Sequence, residues 1–180
     1  MPFSIEQRGF DDQGLRLQRI ATGIDRPDSL FDRLSTDLAQ MWRDNIDAGP
    51  TERWEAGPSF RALALDGKTL IDSGAMKASI IGRQTGPNEI AVGSDLTVGT
   101  GWNLLAIQEF GADVKAGSAS WLTFRYPFGL SSDSGWARKQ KVHIPRRPTA
   151  PFDWDSGELT PTADALTQSR IADYLVELSQ

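Results

Sequence analysis

The chain contains no cysteine. Disulfides, thiolate nucleophiles and cysteine-ligated zinc are excluded together, and such a chain suits folding in a reducing cytoplasm. Its single histidine is His143. A zinc site would have to be built almost wholly from carboxylates, which zinc seldom accepts, and a Ser-His-Asp triad would have to use that one imidazole. No GxSxG elbow accompanies it, so His143, lying in a basic stretch, is expected at the surface or at an interface. No apolar run approaches the ~20 residues of a membrane-spanning helix, and the opening MPFSIEQRGF carries no apolar segment of the kind an export signal uses. The expectation is a soluble chain without membrane contact. Cations are also in short supply: 19 Lys and Arg stand against 24 Asp and Glu, a net charge of -5. A surface of that balance does not grip DNA as a whole, because phosphate binding is largely counterion release by Lys and Arg.

The 180 residues are expected to form one domain, 1–180, long enough to bury roughly two-thirds of the unfolded surface without metal or disulfide staples. Phe3 and Ile5 alternate weakly, as in an edge strand. Between Leu15 and Ile24 the pattern reads as a strand or as a helix; a short helix is favoured because Leu17, Ile20, Ala21 and Ile24 follow helical spacing. Leu30, Phe31, Leu34, Leu38, Met41 and Trp42 then mark one face of a long helix, with Asp28 or Ser29 as its cap and Gly49-Pro50 as its end. Residues 50–67 read as a polar loop carrying Trp54 and Phe60. A hairpin is predicted over residues 80–92 around Thr85-Gly86-Pro87-Asn88, a short helix over Trp102–Phe110, and a longer protruding hairpin over residues 112–144 with a polar tip at 129–135. Pro145–Trp154 reads as extended chain. Thr160-Pro161 opens a C-terminal helix with Leu166, Ile171, Tyr174, Leu175 and Leu178 on one face. The pattern predicts an α+β fold: antiparallel hairpins packed with a long helix in the N-terminal half and a C-terminal helix.

Candidate chemistry is sparse. Gly67-Lys68-Thr69 invites a phosphate-loop reading, yet the first glycine of that motif would fall on Ala62. Carboxylates such as Asp66, Asp72, Asp153, Asp155 and Glu158 are most simply caps and solvated loop charges, since acid–base work needs a pair gathered in a cleft. No catalytic, cofactor-binding or metal-binding residue is expected. The charge feature above background is Arg138, Lys139, Lys141, Arg146 and Arg147, five cations within ten residues. It reads as a contact for a protein partner, as a contact for DNA phosphate, or as charge that keeps an exposed hairpin from mispairing. Trp121, Trp136 and Trp154 are candidate interface aromatics, because tryptophan beside proline and arginine is a hot-spot composition.

Three blocks, taken in order, resemble the virion morphogenesis or tail-completion proteins of Mu-like and P2-like phages, related to the tail-completion neck proteins of siphophages. Residues 68–80, KTLIDSGAMKASI, resemble the pattern TL-x-D-T/S-G-x-L-x-x-S-I. Within Val98–Gly111, the run AIQEFG resembles YA-x-I-H-x-F-G, with Gln108 where the family commonly has histidine. Ile144-Pro145-Arg146-Arg147-Pro148 resembles I-P-A-R-P-F-L, with Thr149-Ala150-Pro151 placed before Phe152. The resemblance spans roughly residues 25–178. It implies a ring-forming virion subunit, sixfold to match the tail, that completes the tail and helps join head to tail in the neck. The implied partners are copies of itself, the head connector or stopper, and the tail terminator or tail tube; DNA would pass through the ring without sequence-specific binding. A tail terminator or capsid-assembly factor of the same particle, and a DNA-binding accessory protein, are the alternatives. On this reading Asp72, Ser73 and Gly74 would hold a tight strand-entry turn. Phe110 and Gly111 would lock the short helix against the sheet. Pro145, Arg146 and Pro148 would belong to an extended segment that docks on a neighbour.

Overall fold

The computed structural model describes residues 10–49, 51–55, 74–98, 101–117, 120–125 and 136–180. Phe10–Asp25 form helix α1 and Asp28–Ala48 form helix α2. The apolar stripe of α2 is buried at Leu30, Leu34, Leu38 and Trp42, and the same face continues through Ser35, Ala39 and Ile46. Its start differs from the expected cap. Pro27 takes the N-cap position without a side-chain hydrogen bond. Its carbonyl accepts from the N–H groups of both Leu30 and Phe31. Asp28 stands in the first turn, where its charge complements the helix dipole, and its Oδ1 accepts from the Gln84 side chain at 3.1 Å.

Gly74, in the left-handed region at φ +78, leads into the one-turn helix α3 (Ala75–Ala78). The predicted hairpin follows as β1 (Ile81–Gly86) and β2 (Glu89–Gly93), in register from Ile81 opposite Gly93 to Gln84 opposite Ile90. It lies on α2 so closely that a Cβ on Gly82 would collide with the Ser35 carbonyl. A glycine is needed there for want of space.

β3 (Thr97–Val98) pairs with β4 (Trp102–Asn103), and α4 (Leu104–Phe110) follows. The helix therefore begins two residues later than its spacing predicts, because the Asn103 side chain caps it by accepting the Ala106 N–H at 3.0 Å. The long hairpin forms in two stages. β5 (Ala112–Lys115) pairs with β8 (Lys141–Ile144), and β6 (Leu122–Arg125) pairs with β7 (Trp136–Lys139). Between the stages, the Ala116 N–H donates to the Gln140 carbonyl at 2.9 Å. Helix α5 (Pro161–Ser179) closes the fold, with Thr160 capping at the Ala163 N–H and proline in the first turn as expected.

The result is an α+β fold of antiparallel two-stranded pairs against helices. Its main core joins Ala39, Trp42, Ile46, Trp54, Met76, Ile80, Leu105 and Ala150, and a second cluster joins Leu30, Leu34 and Tyr174. The predicted apolar face of α5 is only partly used. Tyr174 is buried, whereas Ile171 and Leu175 are 41% and 48% exposed. Phe3, Ile5, Phe60, the Gly67-Lys68-Thr69 run, Asp66, Asp72, Ser73 and the hairpin tip at 129–135 lie outside the described residues.

Candidate functional site: a buried carboxylate and the segment it holds

Residues 145–154 run through the middle of the domain without a strand neighbour for most of their length. Buried amide and carbonyl groups must nonetheless find partners. Glu109 of α4, fully buried, gathers two of the amides and two side-chain donors on its carboxylate. Its Oε1 accepts from the Thr149 N–H (2.7 Å), the Thr149 hydroxyl (2.7 Å) and the Ala150 N–H (3.1 Å). Its Oε2 accepts from the Trp154 indole at 3.2 Å. The Trp42 indole of α2 donates to the same Thr149 hydroxyl oxygen at 2.9 Å. Asn45 donates to the Thr149 carbonyl, and Arg53 spans the carbonyls of Ala150 and Phe152. The Arg147 N–H donates to the Gln108 carbonyl at 2.7 Å. One carboxylate thus ties together α2, α4 and the proline-rich segment. Because its lone pairs are taken by the fold's own donors, its chemistry here is that of a clamp.

Gly111 ends α4 at φ +71, where a Cβ would meet the Ile144 carbonyl at 2.8 Å and the Arg146 nitrogen at 3.1 Å. The close approach sets the end of α4 against Ile144 at the end of β8. Phe110, the residue before Gly111, faces outward. The ring is 53% exposed and packs on Trp154, with centroids 5.0 Å apart. Trp154, 40% exposed, meets Phe152 at 4.5 Å, and Phe152 meets buried Trp42 at 5.6 Å. An aromatic ladder therefore climbs from the core to the surface, fixed at its third rung by Glu109.

The resemblance implies an extended segment that docks on a neighbour. Instead Arg147, Pro148, Thr149, Ala150 and Pro151 are buried in their own domain, and Pro145 and Arg146 are half-buried. The basic stripe is likewise divided. Lys141 pairs with Asp113 at 2.8 Å. Arg146 donates from its backbone to Glu55 (2.8 Å) and from its Nε to the Glu109 carbonyl, and it pairs with Asp155. Arg147 turns inward over the Trp54 ring, 6.0 Å from its centroid. Arg138, Lys139 and Lys141 stay exposed, whereas Arg146 is half-buried and Arg147 is buried. Spacing along the chain cannot show acids that arrive from residues 55, 113 and 155.

His143 is exposed as expected, its Nδ1 3.0 Å from Asp113 and its Nε2 3.4 Å from Glu55. The Asp113 hydrogen bond, with help from Glu55, holds the imidazole above its ordinary value. Asp113 is held below the usual carboxylate range by its bonds to Lys141 and His143, and Glu55 by the Arg146 N–H and then His143. Burial pushes Arg147 below the usual arginine value, with Glu55 opposing.

The structure thus gathers Phe110, Gly111, Pro145, Arg146, Arg147, Pro148 and Trp154 into one region. Gly74 stands apart from it, at the start of α3. Trp121 is 49% exposed on the hairpin, and Trp136 opens β7, its side chain outside the described set. Glu109, Thr149, Asn45 and Arg53 carry the region and were not singled out from sequence. One signal was available: Glu109 sits four residues after Leu105, on the same helical face as a core leucine. No family model, curated protein or solved structure matches the chain.

Proposed function

We propose that this chain is a structural subunit of a tailed-phage neck, a tail-completion protein that assembles with copies of itself and helps join head to tail. The observation that carries the reading is the ordered set of three motif blocks, together with how the last two meet. The AIQEFG block and the IPRRP block meet through Gly111 and the carbonyls of Gln108 and Glu109, which accept from the Arg147 N–H and the Arg146 Nε. Two of the three blocks thus meet along the domain's spine. The exposed Phe110–Trp154 pair, backed by that spine, has the character of a preorganised anchor for a partner's pocket. The division of the basic stripe weighs against duplex binding, since Lys141 and Arg146 are already neutralised.

The test is co-sedimentation of the purified chain with phage tails made without it. Stoichiometric capture, sixfold per tail if the ring matches the tail, is expected and should survive high salt. No capture would overturn the reading. Capture on duplex DNA instead, with a steep salt dependence, would move the function to nucleic-acid binding.

A further inference from the structure

Helix α1 and the end of α5 flank an open cleft of about 490 Å³, to which Leu15 and Leu178 give an apolar lining and Arg19 and Arg26 a positive one. Its size lies in the range of pockets that take a ligand or a partner's side chains, roughly 300–1,000 Å³. Both arginines are exposed and have no ion pair among the described residues. Glu177, the acid of the lining, is already engaged by Arg33 at 2.7 Å. The cleft is therefore apolar with uncompensated positive charge.

The opposite combination stands before the start of α5. Phe110 and Trp154 form the exposed end of the aromatic ladder. Beside them Asp155 keeps 81% of its side chain in solvent even where it pairs with Arg146. Glu158 is exposed as well and has no ion pair among the described residues. This acidic aromatic knob and the cleft cannot meet within one copy. Nearly the whole of α5 lies between them, about 25 Å at ~1.5 Å per residue, and α5 is tied along α2 by Arg170–Asp37 and by Tyr174 against Leu30 and Leu34.

We infer that the Phe110–Trp154 knob of one copy seats in the α1–α5 cleft of the next, with Asp155 and Glu158 against Arg19 and Arg26. The charges are complementary, and a rigid, exposed aromatic pair is the kind of group that fills a partner's pocket. Pairing like surface with like would set acid against acid at the knob, or arginine against arginine at the cleft. Two different patches at opposite ends of one helix make a head-to-tail contact, which closes into a ring when the rotation allows. This contact rests on the neck-subunit reading and names the surfaces by which its ring would close.

Truncating Trp154 would also remove its bond to Glu109, so the test uses the exposed charges. One variant carries Asp155→Lys with Glu158→Lys, the other Arg19→Glu with Arg26→Glu. Light scattering over a range of concentrations reads their self-association, alone and in equimolar mixture, and copies bound per tail are counted in parallel. Each variant alone should associate roughly tenfold more weakly or worse, because like charges now face each other. The mixture should return to within a few-fold of wild type, since the knob of each then meets an oppositely charged cleft on the other. If free wild type is monomeric, the same loss and recovery are read as copies bound per tail. Asp155→Asn with Glu158→Gln, and Arg19→Gln with Arg26→Gln, should weaken association less, and they read the contact should a reversal lower the melting temperature. If the variants assemble like wild type, or the mixture does no better than its parts, the inference fails while capture by tails keeps the neck reading. If the variants self-associate normally but lose the tails, the two surfaces face a tail protein and the inference also fails. If wild type neither self-associates nor joins tails, the neck reading fails and this contact with it.

Discussion

Glu109 and Leu175 break the usual rule of burial in opposite directions: the carboxylate is fully buried, and the leucine is 48% exposed. The difference divides the molecule into two regions. Around Glu109, a segment with few strand partners is held by side chains from α2, α4 and the loop at 51–55. Polar groups there are buried because a backbone needed them. Along α1 and α5, the opposite holds. Leu15, Leu17 and Ile24 of α1 are 54–66% exposed, and Ile171, Leu175 and Val176 of α5 are 41–56% exposed. Helix α1 touches the fold chiefly where Leu178 sits against Gly23 and where the Tyr174 hydroxyl donates to the Gly23 carbonyl. A helix depends mostly on packing for its stability. The first region is therefore closed within the monomer, and the second leaves apolar surface unspent.

The largest effects should come from opening the closed region. Glu109→Ala leaves three buried donors and the half-exposed Trp154 indole without their acceptor and should cost roughly 3–5 kcal/mol in urea melts, with Glu109→Gln costing about 2 kcal/mol. A stability near wild type would show that water replaces the clamp, and the contrast between the regions would collapse. Gly82→Ala should follow at roughly 1–3 kcal/mol, because the hairpin must back away from the Ser35 carbonyl. On the open region, Leu17→Ser with Leu175→Ser should stay within about 0.5 kcal/mol of wild type each. A loss as large as that of Glu109→Ala would mean that this surface is core.

The smallest effect concerns the His143 cluster, where the hairpin meets the loop at 51–55. The histidine's folded value is raised, so its contribution is complete below the unfolded value of about 6.5 and is lost as pH climbs through the folded value. Asp113 and Glu55 are lowered, so theirs is complete above about 4.3 and is lost as pH falls through their folded values. Amide exchange in residues 112–115 and 141–144, corrected for its intrinsic pH dependence, should be slowest at about pH 5–6 and speed up on either side. A flat profile, or one unchanged by His143→Gln, would dissociate the cluster from the hairpin's stability.

How far the sequence was legible follows the same division. Elements whose evidence is periodic and local were read well: α2 from its stripe, α5 from Thr160-Pro161, and both hairpins from their turn residues. Helix starts were harder: Pro27 caps where Asp28 or Ser29 was expected, and Asn103 starts α4 two residues later than its spacing indicates. The closed region was the least legible. A glutamate near a helix end reads as solvated, and nothing near residue 109 says that Thr149 and Trp154 will come to it. The stripe at 138–147 looked continuous for the same reason: its neutralising acids are distant in sequence and close only in space. On α5, apolar spacing marked a face but could not say whether the monomer would cover it.

The central claim is that this chain works by assembling, and the direct test is its mass by light scattering, alone across concentration and after addition of tails. The expected result is a closed ring of defined subunit number, or a monomer that disappears into the tail fraction. A monomer at every concentration that ignores tails would contradict the account.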